Sequence, residues 1–171
     1  VGHSLGGYVA LAFAEKHPQK IKGLCLMNTT SNEDDEERKS LRARASKMVQ
    51  NNFTNMVRMS FTNLFDEKSR LLFKDEIDAA LKEALKTPPQ GYIAAQKGMQ
   101  VRPNRNHVLI ENSFKKIFII SEKDPVLDFK TALVEAEKTG SEFVVFPHGH
   151  MSHIENSLAL IKTLKKFIKI C

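Results

Sequence analysis

The sequence has no tryptophan, only two cysteines and no long run of apolar residues. Cys25 lies in a short apolar stretch and Cys171 is far away in sequence, so the spacing suggests neither a disulfide framework nor a metal site. A membrane-spanning helix needs about 20 consecutive apolar residues, so none is expected. This cysteine usage favours a reducing, cytoplasmic setting.

The chain has 171 residues, of which 42% are hydrophobic and 27% charged, which predicts one soluble globular domain. A net charge of +6 is compatible with binding to nucleic acid or to an anionic membrane. The lysines are spread over several segments, however, with no arginine-rich run and no interleaved aromatics. We therefore predict no nucleic-acid partner.

Apolar runs of strand length alternate with helical patterns at both ends of the sequence, which predicts an α/β fold with a mostly parallel sheet flanked by helices. In the first helix the pattern predicts an apolar band at Val9, Ala10, Ala12 and Phe13. The predicted strands cover 21–28, 114–121 and 142–146, and the predicted core helices cover 5–17, 126–138 and 155–170.

Residues 29–112 are polar and charged, with helical patterns and no convincing strand. A long insertion of this kind indicates a lid, so we expect a core at 1–28, a helical cap with its return segment at 29–112, and a core again at 113–171. Ser31 or Asn32 would cap the first cap helix, which runs to about Gln50. Further helices are predicted at 52–60, 67–72, 74–86 and 90–100. The apolar residues of this segment either line a pocket for an acyl chain or pack the segment together: Phe53, Phe61, Phe65, Phe73, Met48, Met56 and Met59.

The first eight residues read V-G-H-S-L-G-G-Y and contain the pattern G-x-S-x-G around Ser4. A serine nucleophile of this kind occupies a sharp turn between a strand and a helix, and Gly2, Gly6 and Gly7 would let the backbone close that turn. Only Val1 remains of the preceding strand, which we expect to be absent. The other interpretation is a glycine-rich turn that binds phosphate at the helix N-terminus.

Asp124, in S-E-K-D-P-V-L-D, follows the end of a predicted strand. Ligands and catalytic groups gather at that edge of open α/β sheets. The alternative is that Asp124 only caps a helix, since Asp before Pro is also a capping signature. Asp128 is the second candidate acid, although it falls inside the predicted helix.

Three histidines, His148, His150 and His153, follow the last predicted strand. They could supply three imidazoles to a metal, but no matching ligands occur elsewhere in the sequence. The other interpretation is one catalytic histidine with two neighbours. The order of the candidate residues along the chain decides between the two interpretations. Ser, Asp and His each follow a strand end, and they come in the order that the catalytic triad has in one group of hydrolases.

With these motifs the sequence resembles the α/β-hydrolase superfamily, specifically its esterase-like branch. The resemblance rests on G-H-S-L-G-G, on S-E-K-D-P-V and on G-H-M-S-H-I-E, and it is weakest over 29–95. It implies the C-terminal part of an α/β-hydrolase fold with a helical cap insertion. Because the nucleophile motif stands at the start, we expect an N-terminally truncated fragment with an unpaired strand edge and poor activity of its own.

The resemblance assigns Ser4 as nucleophile, Asp124 as acid and His150 as base, with the backbone N–H of Leu5 as one oxyanion donor. His3 and His153 are expected to support these groups from nearby, and His153 is the alternative base. A second oxyanion donor would come from an early loop with no counterpart in this sequence. No metal and no cofactor are implied.

The implied activity is hydrolysis of a carboxylic ester, thioester or lactone through an acyl-enzyme, on a small-molecule acyl substrate. The alternatives are a C–C bond hydrolase or an acyltransferase with the same triad, or a non-catalytic homologue that binds a ligand. The sequence does not predict an oligomeric state.

Overall fold

The computed structural model describes residues 1–171, except for the side chain of Asn51. Four parallel strands form one sheet in the order β1-β2-β3-β4, and they cover Gly2–His3, Gly23–Met27, Lys115–Ser121 and Glu142–Phe146. The helices are α1 Leu5–Lys16, α2 Glu36–Thr62, α3 Glu67–Leu72, α4 Lys74–Ala84, α5 Pro89–Gln100, α6 Asn106–Glu111, α7 Phe129–Lys138, α8 Ser152–Glu155 and α9 Ser157–Ile170. The predicted α/β fold with a mostly parallel sheet and flanking helices is confirmed.

Successive side chains of a strand point to opposite faces of the sheet, and in the central strands β2 and β3 most of both sets are buried, whereas β4 leaves Phe143 and Val145 exposed. Leu24, Leu26 and Phe118 pack on one face against α1, α6 and α7. Cys25 and Ile119 pack on the other face against α9. Burial on both faces explains why β2 and β3 read as continuous apolar runs rather than as alternating patterns.

The predicted apolar band of α1 was wrong at Val9 and Phe13, which are 63% and 44% exposed. The buried stripe runs instead through Gly7, Leu11 and Ala14. These positions follow the helical spacing i, i+4, i+7 and face the sheet. The stripe was hard to recognise because it begins at a glycine, which carries no hydrophobic side chain.

Five helices, α2 to α6, lie between β2 and β3, and no strand occurs between these two in the described part of the chain. We call Glu36–Glu111 the helical segment. α2 continues through the predicted break, which appears as a kink at Asn52 (φ −156°, ψ 66°). Its N-cap is Asp35, whose side chain accepts a hydrogen bond from the backbone N–H of Arg38 (2.7 Å), rather than Ser31 or Asn32. α6 was not predicted.

Whether the helical segment is a separate cap domain stays a prediction. Of the helices that the structure describes, none is both long enough and apolar enough to cross a bilayer.

Candidate active site

Ser4 joins β1 to α1 in a strained backbone conformation, with φ 51° and ψ −121°. A positive φ is uncommon for a residue other than glycine and requires support from its surroundings. Two hydrogen bonds give that support, from Ser4 N–H to Met27 O (3.0 Å) and from Thr29 Oγ1 to Ser4 O (2.8 Å). The end of β2 therefore fixes the turn that carries Ser4.

The glycines around Ser4 have different roles. A Cβ at Gly2 would lie 2.6 Å from Gly6 O, and one at Gly7 would lie 2.3 Å from Thr29 Cγ2. A Cβ at Gly6 would meet no atom within 4 Å. Only Gly2 and Gly7 are thus required by close packing, and the expectation that all three glycines are needed to close the turn was wrong for Gly6.

The expectation that the strand before Ser4 is absent was also wrong. Gly2 and His3 form β1, which pairs in parallel with Leu26 and Met27 of β2. This strand has only two residues, but it places Ser4 at the carboxyl edge of the sheet. β1 is the terminal strand of the sheet that the structure describes.

Asp124 and His150 meet in a buried hydrogen bond. Asp124 lies beyond the end of β3 and His150 beyond the end of β4, and Asp124 Oδ2 lies 2.7 Å from His150 Nδ1. The side chains are only 2% and 3% exposed. The other oxygen of Asp124, Oδ1, accepts hydrogen bonds from the backbone N–H groups of Val126 (2.8 Å) and Leu127 (3.1 Å).

Burial alone would raise the pKa of Asp124. The hydrogen bond from His150 and its charge, with further hydrogen bonds from the Val126 N–H and from Asn28, outweigh burial and lower the pKa. The carboxylate is therefore ionised at neutral pH and can only accept, so Nδ1 of His150 carries the proton of this bond. In the neutral form of the imidazole, the other nitrogen, Nε2, is then the acceptor.

A chain of three buried polar side chains leads away from Asp124, and the sequence did not reveal it. Asn28 donates from Nδ2 to Asp124 Oδ2 (3.0 Å) and accepts at Oδ1 from Ser152 Oγ (2.7 Å). Ser152 Oγ lies 2.9 Å from Ser121 Oγ. Asn28 has φ 46°, a region that asparagine tolerates better than most residues. A polar residue directly after a buried strand was the available signal.

The loop of His150 is held by a buried carboxylate. The carboxylate of Glu155 accepts hydrogen bonds from the backbone N–H groups of Gly149 (3.1 Å), Met151 (3.1 Å) and Asp66 (2.9 Å). A Cβ at Gly149 would lie 2.7 Å from the nitrogen of Asp66, so only glycine permits this approach to the helical segment. The N–H of His150 also donates to Leu64 O (2.9 Å), and the base is therefore positioned by both regions of the chain.

His3 contacts the backbone of the proposed base. Its Nε2 lies 2.8 Å from His150 O, and its ring centroid is 5.1 Å from that of His150 and 5.3 Å from that of His153. Burial lowers the pKa of His3 to about 4, against a backbone hydrogen bond that opposes the shift. His3 is hence neutral at pH 7, with Nε2–H donating to the carbonyl.

The remaining candidates do not join the Asp124–His150 hydrogen bond. His153 is exposed, although its ring lies 5.3 Å from that of His3, and Nδ1 of His148 lies 3.5 Å from Asp66 Oδ2. Asp128 is exposed and caps α7 by accepting the N–H of Thr131 (2.8 Å). Among the described residues no three histidine, cysteine or carboxylate side chains converge as metal ligands.

Ser4, Leu5 and His150 line one cavity of about 380 Å³. The helical segment supplies most of the opposite wall, including Phe53, Val57, Phe61, Leu64, Tyr92 and Met99. Of the four phenylalanines proposed for a pocket, Phe53 and Phe61 line it. Phe65 and Phe73 instead pack with Ile77 and Met151 in a cluster of their own. Met48 and Met59 are largely exposed.

Known structures share this fold. A thermophilic esterase from Thermogutta terrifontis is 27% identical, with a TM-score of 0.90 over 98% of this chain and 63% of its own. An enol-lactonase from Burkholderia xenovorans LB400 is 18% identical, with a TM-score of 0.86 over 98% of this chain and 64% of its own. An esterase from Exiguobacterium antarcticum is 17% identical, with a TM-score of 0.86 over 98% of this chain and 65% of its own.

The chain thus spans less than two thirds of the length of these proteins. A search of curated protein sequences found no match. The sequence matches the family described as alpha/beta hydrolase fold over residues 1–157. This match covers most of the chain and agrees with the parallel sheet, the serine turn and the three structures: the chain belongs to the α/β-hydrolase fold family.

Proposed function

We propose that this chain carries the Ser4–His150–Asp124 triad of a serine hydrolase that cleaves a carboxylic ester, thioester or lactone. The observation that carries the proposal is the buried 2.7 Å contact between Asp124 and His150, together with the position of His150 on the same cavity as the strained Ser4. A serine in a merely structural turn would need neither the positive φ nor a histidine–carboxylate pair on its cavity.

In this mechanism Nε2 of His150 takes the proton of the Ser4 hydroxyl as Oγ attacks the acyl carbon. A C–O bond forms to Ser4, and the bond to the leaving oxygen or sulfur breaks as His150 returns the proton to it. Water then attacks the acyl-enzyme with His150 again as base, which releases the acid and restores Ser4. Asp124 stays ionised throughout and stabilises the imidazolium.

The negative oxygen of each tetrahedral intermediate needs hydrogen-bond donors. Leu5 is the first residue of α1, and N–H groups in the first helical turn have no acceptor within the helix. We assign the Leu5 N–H as one donor of the oxyanion hole. The removal of one such donor typically costs about 10²–10³ in kcat.

The cavity supports a small-molecule acyl substrate, since its walls combine apolar and aromatic side chains with a few polar groups. Two of the similar structures are described as esterases and one as an enol-lactonase, which agrees with ester or lactone cleavage. Because the chain covers only about 63% of the Thermogutta esterase, the proposal concerns the whole protein to which this chain belongs.

The test is hydrolysis of a panel of simple esters, thioesters and lactones by the protein as the cell makes it. We expect turnover of at least one class and a loss of about 10⁴-fold or more in Ser4→Ala and in His150→Ala. His153→Ala, a matched control three residues further on, should retain most activity. Turnover that survives Ser4→Ala would refute the nucleophile, and a larger loss in His153→Ala than in His150→Ala would reassign the base.

A further inference from the structure

Among the described residues that line the Ser4 cavity, Arg42 is the one with a permanent charge. It lies on α2, and its guanidinium is mostly buried, with 14% of the side chain exposed. The apolar wall is formed mainly by Phe53, Val57 and Phe61, whereas Arg42 shares its part of the cavity with Gln96, whose Oε1 it contacts at 3.3 Å. The cavity is therefore apolar over most of its wall and cationic at one place.

The positive charge of Arg42 is only partly neutralised. Asp34 accepts from Arg42 Nε and also lies 2.7 Å from Nη1 of Arg102. Burial would raise the pKa of Asp34, but the hydrogen bonds from the two arginines outweigh it and lower the pKa. One buried carboxylate therefore serves two buried guanidinium groups, and one positive charge remains.

Other carboxylates near this cluster do not cancel that charge. Glu33 and Asp35, the chain neighbours of Asp34, are exposed to water, which screens them. Glu135 is buried, but it accepts hydrogen bonds from Thr30 Oγ1, from Ser31 and from Asn32 Nδ2 (2.9 Å) and not from Arg42.

The guanidinium of Arg42 also keeps donors for a ligand. Its Nε and Nη2 donate to Asp34, the latter over 3.4 Å, and its Nη1 donates to Gln96. A guanidinium has five N–H donors, so two have no partner among the described residues. A planar fork with open donors on a cavity wall is suited to a carboxylate.

We propose that Arg42 is a specificity-determining residue that binds a carboxylate carried by the acyl substrate at a position away from the scissile bond. This substrate class, the half-ester of a dicarboxylic acid, rests on the proposed function of Ser4. Asp34 and Arg102 hold the guanidinium of Arg42 in place, and the apolar wall covers the methylene chain between the two ends of the substrate.

The kinetic test compares monomethyl succinate, glutarate and adipate with the neutral esters of equal length, methyl butanoate, pentanoate and hexanoate. We expect at least one half-ester to exceed its neutral partner about 10-fold or more in kcat/KM, the size of one charge-assisted hydrogen-bonded contact. Arg42→Met should abolish this preference, because kcat/KM should fall about 10-fold or more further on the half-ester than on the neutral ester of equal length.

Arg38→Met is the matched control, because Arg38 lies one turn earlier on α2, bonds Val126 O and does not line the Ser4 cavity. It should retain the preference for the half-ester. Arg42→Lys keeps the charge but not the fork, and it should retain a reduced preference. A higher kcat/KM for the neutral ester at all three chain lengths would overturn the proposal. It would also be overturned if Arg42→Met and Arg42→Lys lowered kcat/KM equally for the half-ester and the neutral ester.

A binding measurement separates this proposal from the failure of catalysis. In Ser4→Ala protein, calorimetry should show tighter binding of the favoured half-ester than of its neutral partner, and Ser4→Ala/Arg42→Met should show no difference. If no ester is hydrolysed but this difference is found, the proposed function fails and the carboxylate site stands. Equal binding of both esters to the Ser4→Ala protein refutes the carboxylate site.

Discussion

The strand ends and the helical segment build the two sides of one cavity in different ways. At the strand ends, Asp124, His150 and Asn28 are held by hydrogen bonds to side chains and to the backbone of neighbouring loops. Apart from the Leu64 and Asp66 backbone groups that hold the loop of His150, the helical segment contributes mainly apolar contacts to the cavity, and it leaves Leu71 and Leu72 84% and 74% exposed.

This difference separates the chemistry from the fit to the substrate. A hydrogen-bonded network fixes both distance and direction, as proton transfer requires. Apolar walls exclude water and accept many shapes, as substrate selection requires. Three pairs of variants and one pH series test this division.

Asp124→Asn should lower kcat by about 10⁴-fold, because a neutral amide can present its N–H to His150 and stabilise the wrong tautomer. Asp128→Asn is the matched control, since Asp128 is exposed and caps α7. Steady-state kinetics on one ester measure both variants. A loss in Asp128→Asn as large as in Asp124→Asn would show that the strand-end network has been assigned to the wrong acid.

Ser152→Ala should lower kcat by about 3–10-fold with little change in KM, because Asn28 loses the donor that orients its amide towards Asp124. Ser157→Ala, at an exposed serine five residues later, should have no effect. Separate values of kcat and KM distinguish the outcomes. A rise in KM with unchanged kcat would place Ser152 on the substrate side of the cavity instead.

Phe61→Ala should raise KM for an apolar ester by about 3–10-fold and leave kcat nearly unchanged, since it removes apolar surface from the wall. Met59→Ala is the control, because Met59 is 71% exposed and does not line the cavity. Initial rates over a range of ester concentrations test this. A fall in kcat at constant KM would contradict the division between the two regions.

His3 should make the free energy of unfolding depend on pH in a window between about 6.5 and 4. Its pKa is lower in the folded protein, so the unfolded chain binds the proton more strongly and stability falls as pH falls through that window. His3→Gln, which keeps a donor but does not titrate, should flatten the decrease. Urea unfolding at several pH values measures it, and equal slopes in both proteins would contradict the buried neutral His3.

The central strands β2 and β3 were predictable from sequence because burial on both sheet faces leaves a continuous apolar run. Ser4, Asp124 and His150 were predictable as candidates because each follows a strand end, and the structure places His150 against Asp124 and on the cavity of Ser4. Their catalytic roles remain proposals.

The supporting groups could not be predicted in the same way. Asn28 contacts Asp124, which is 96 positions away in the chain, and Glu155 contacts Asp66, which is 89 positions away. No local sequence pattern encodes such contacts. Arg42 was hidden because a charged residue on a polar helix is usually a solvated one. The buried stripe of α1 was misjudged because Gly7 faces the sheet without a side chain.

The most direct test of the central claim is to map the site of covalent modification by a fluorophosphonate probe in the protein as the cell makes it. We expect one adduct, on the Ser4 hydroxyl, and no labelling in Ser4→Ala. Peptide mass spectrometry locates the adduct. An unlabelled Ser4 in protein that hydrolyses esters, or an adduct that persists in Ser4→Ala, would contradict it.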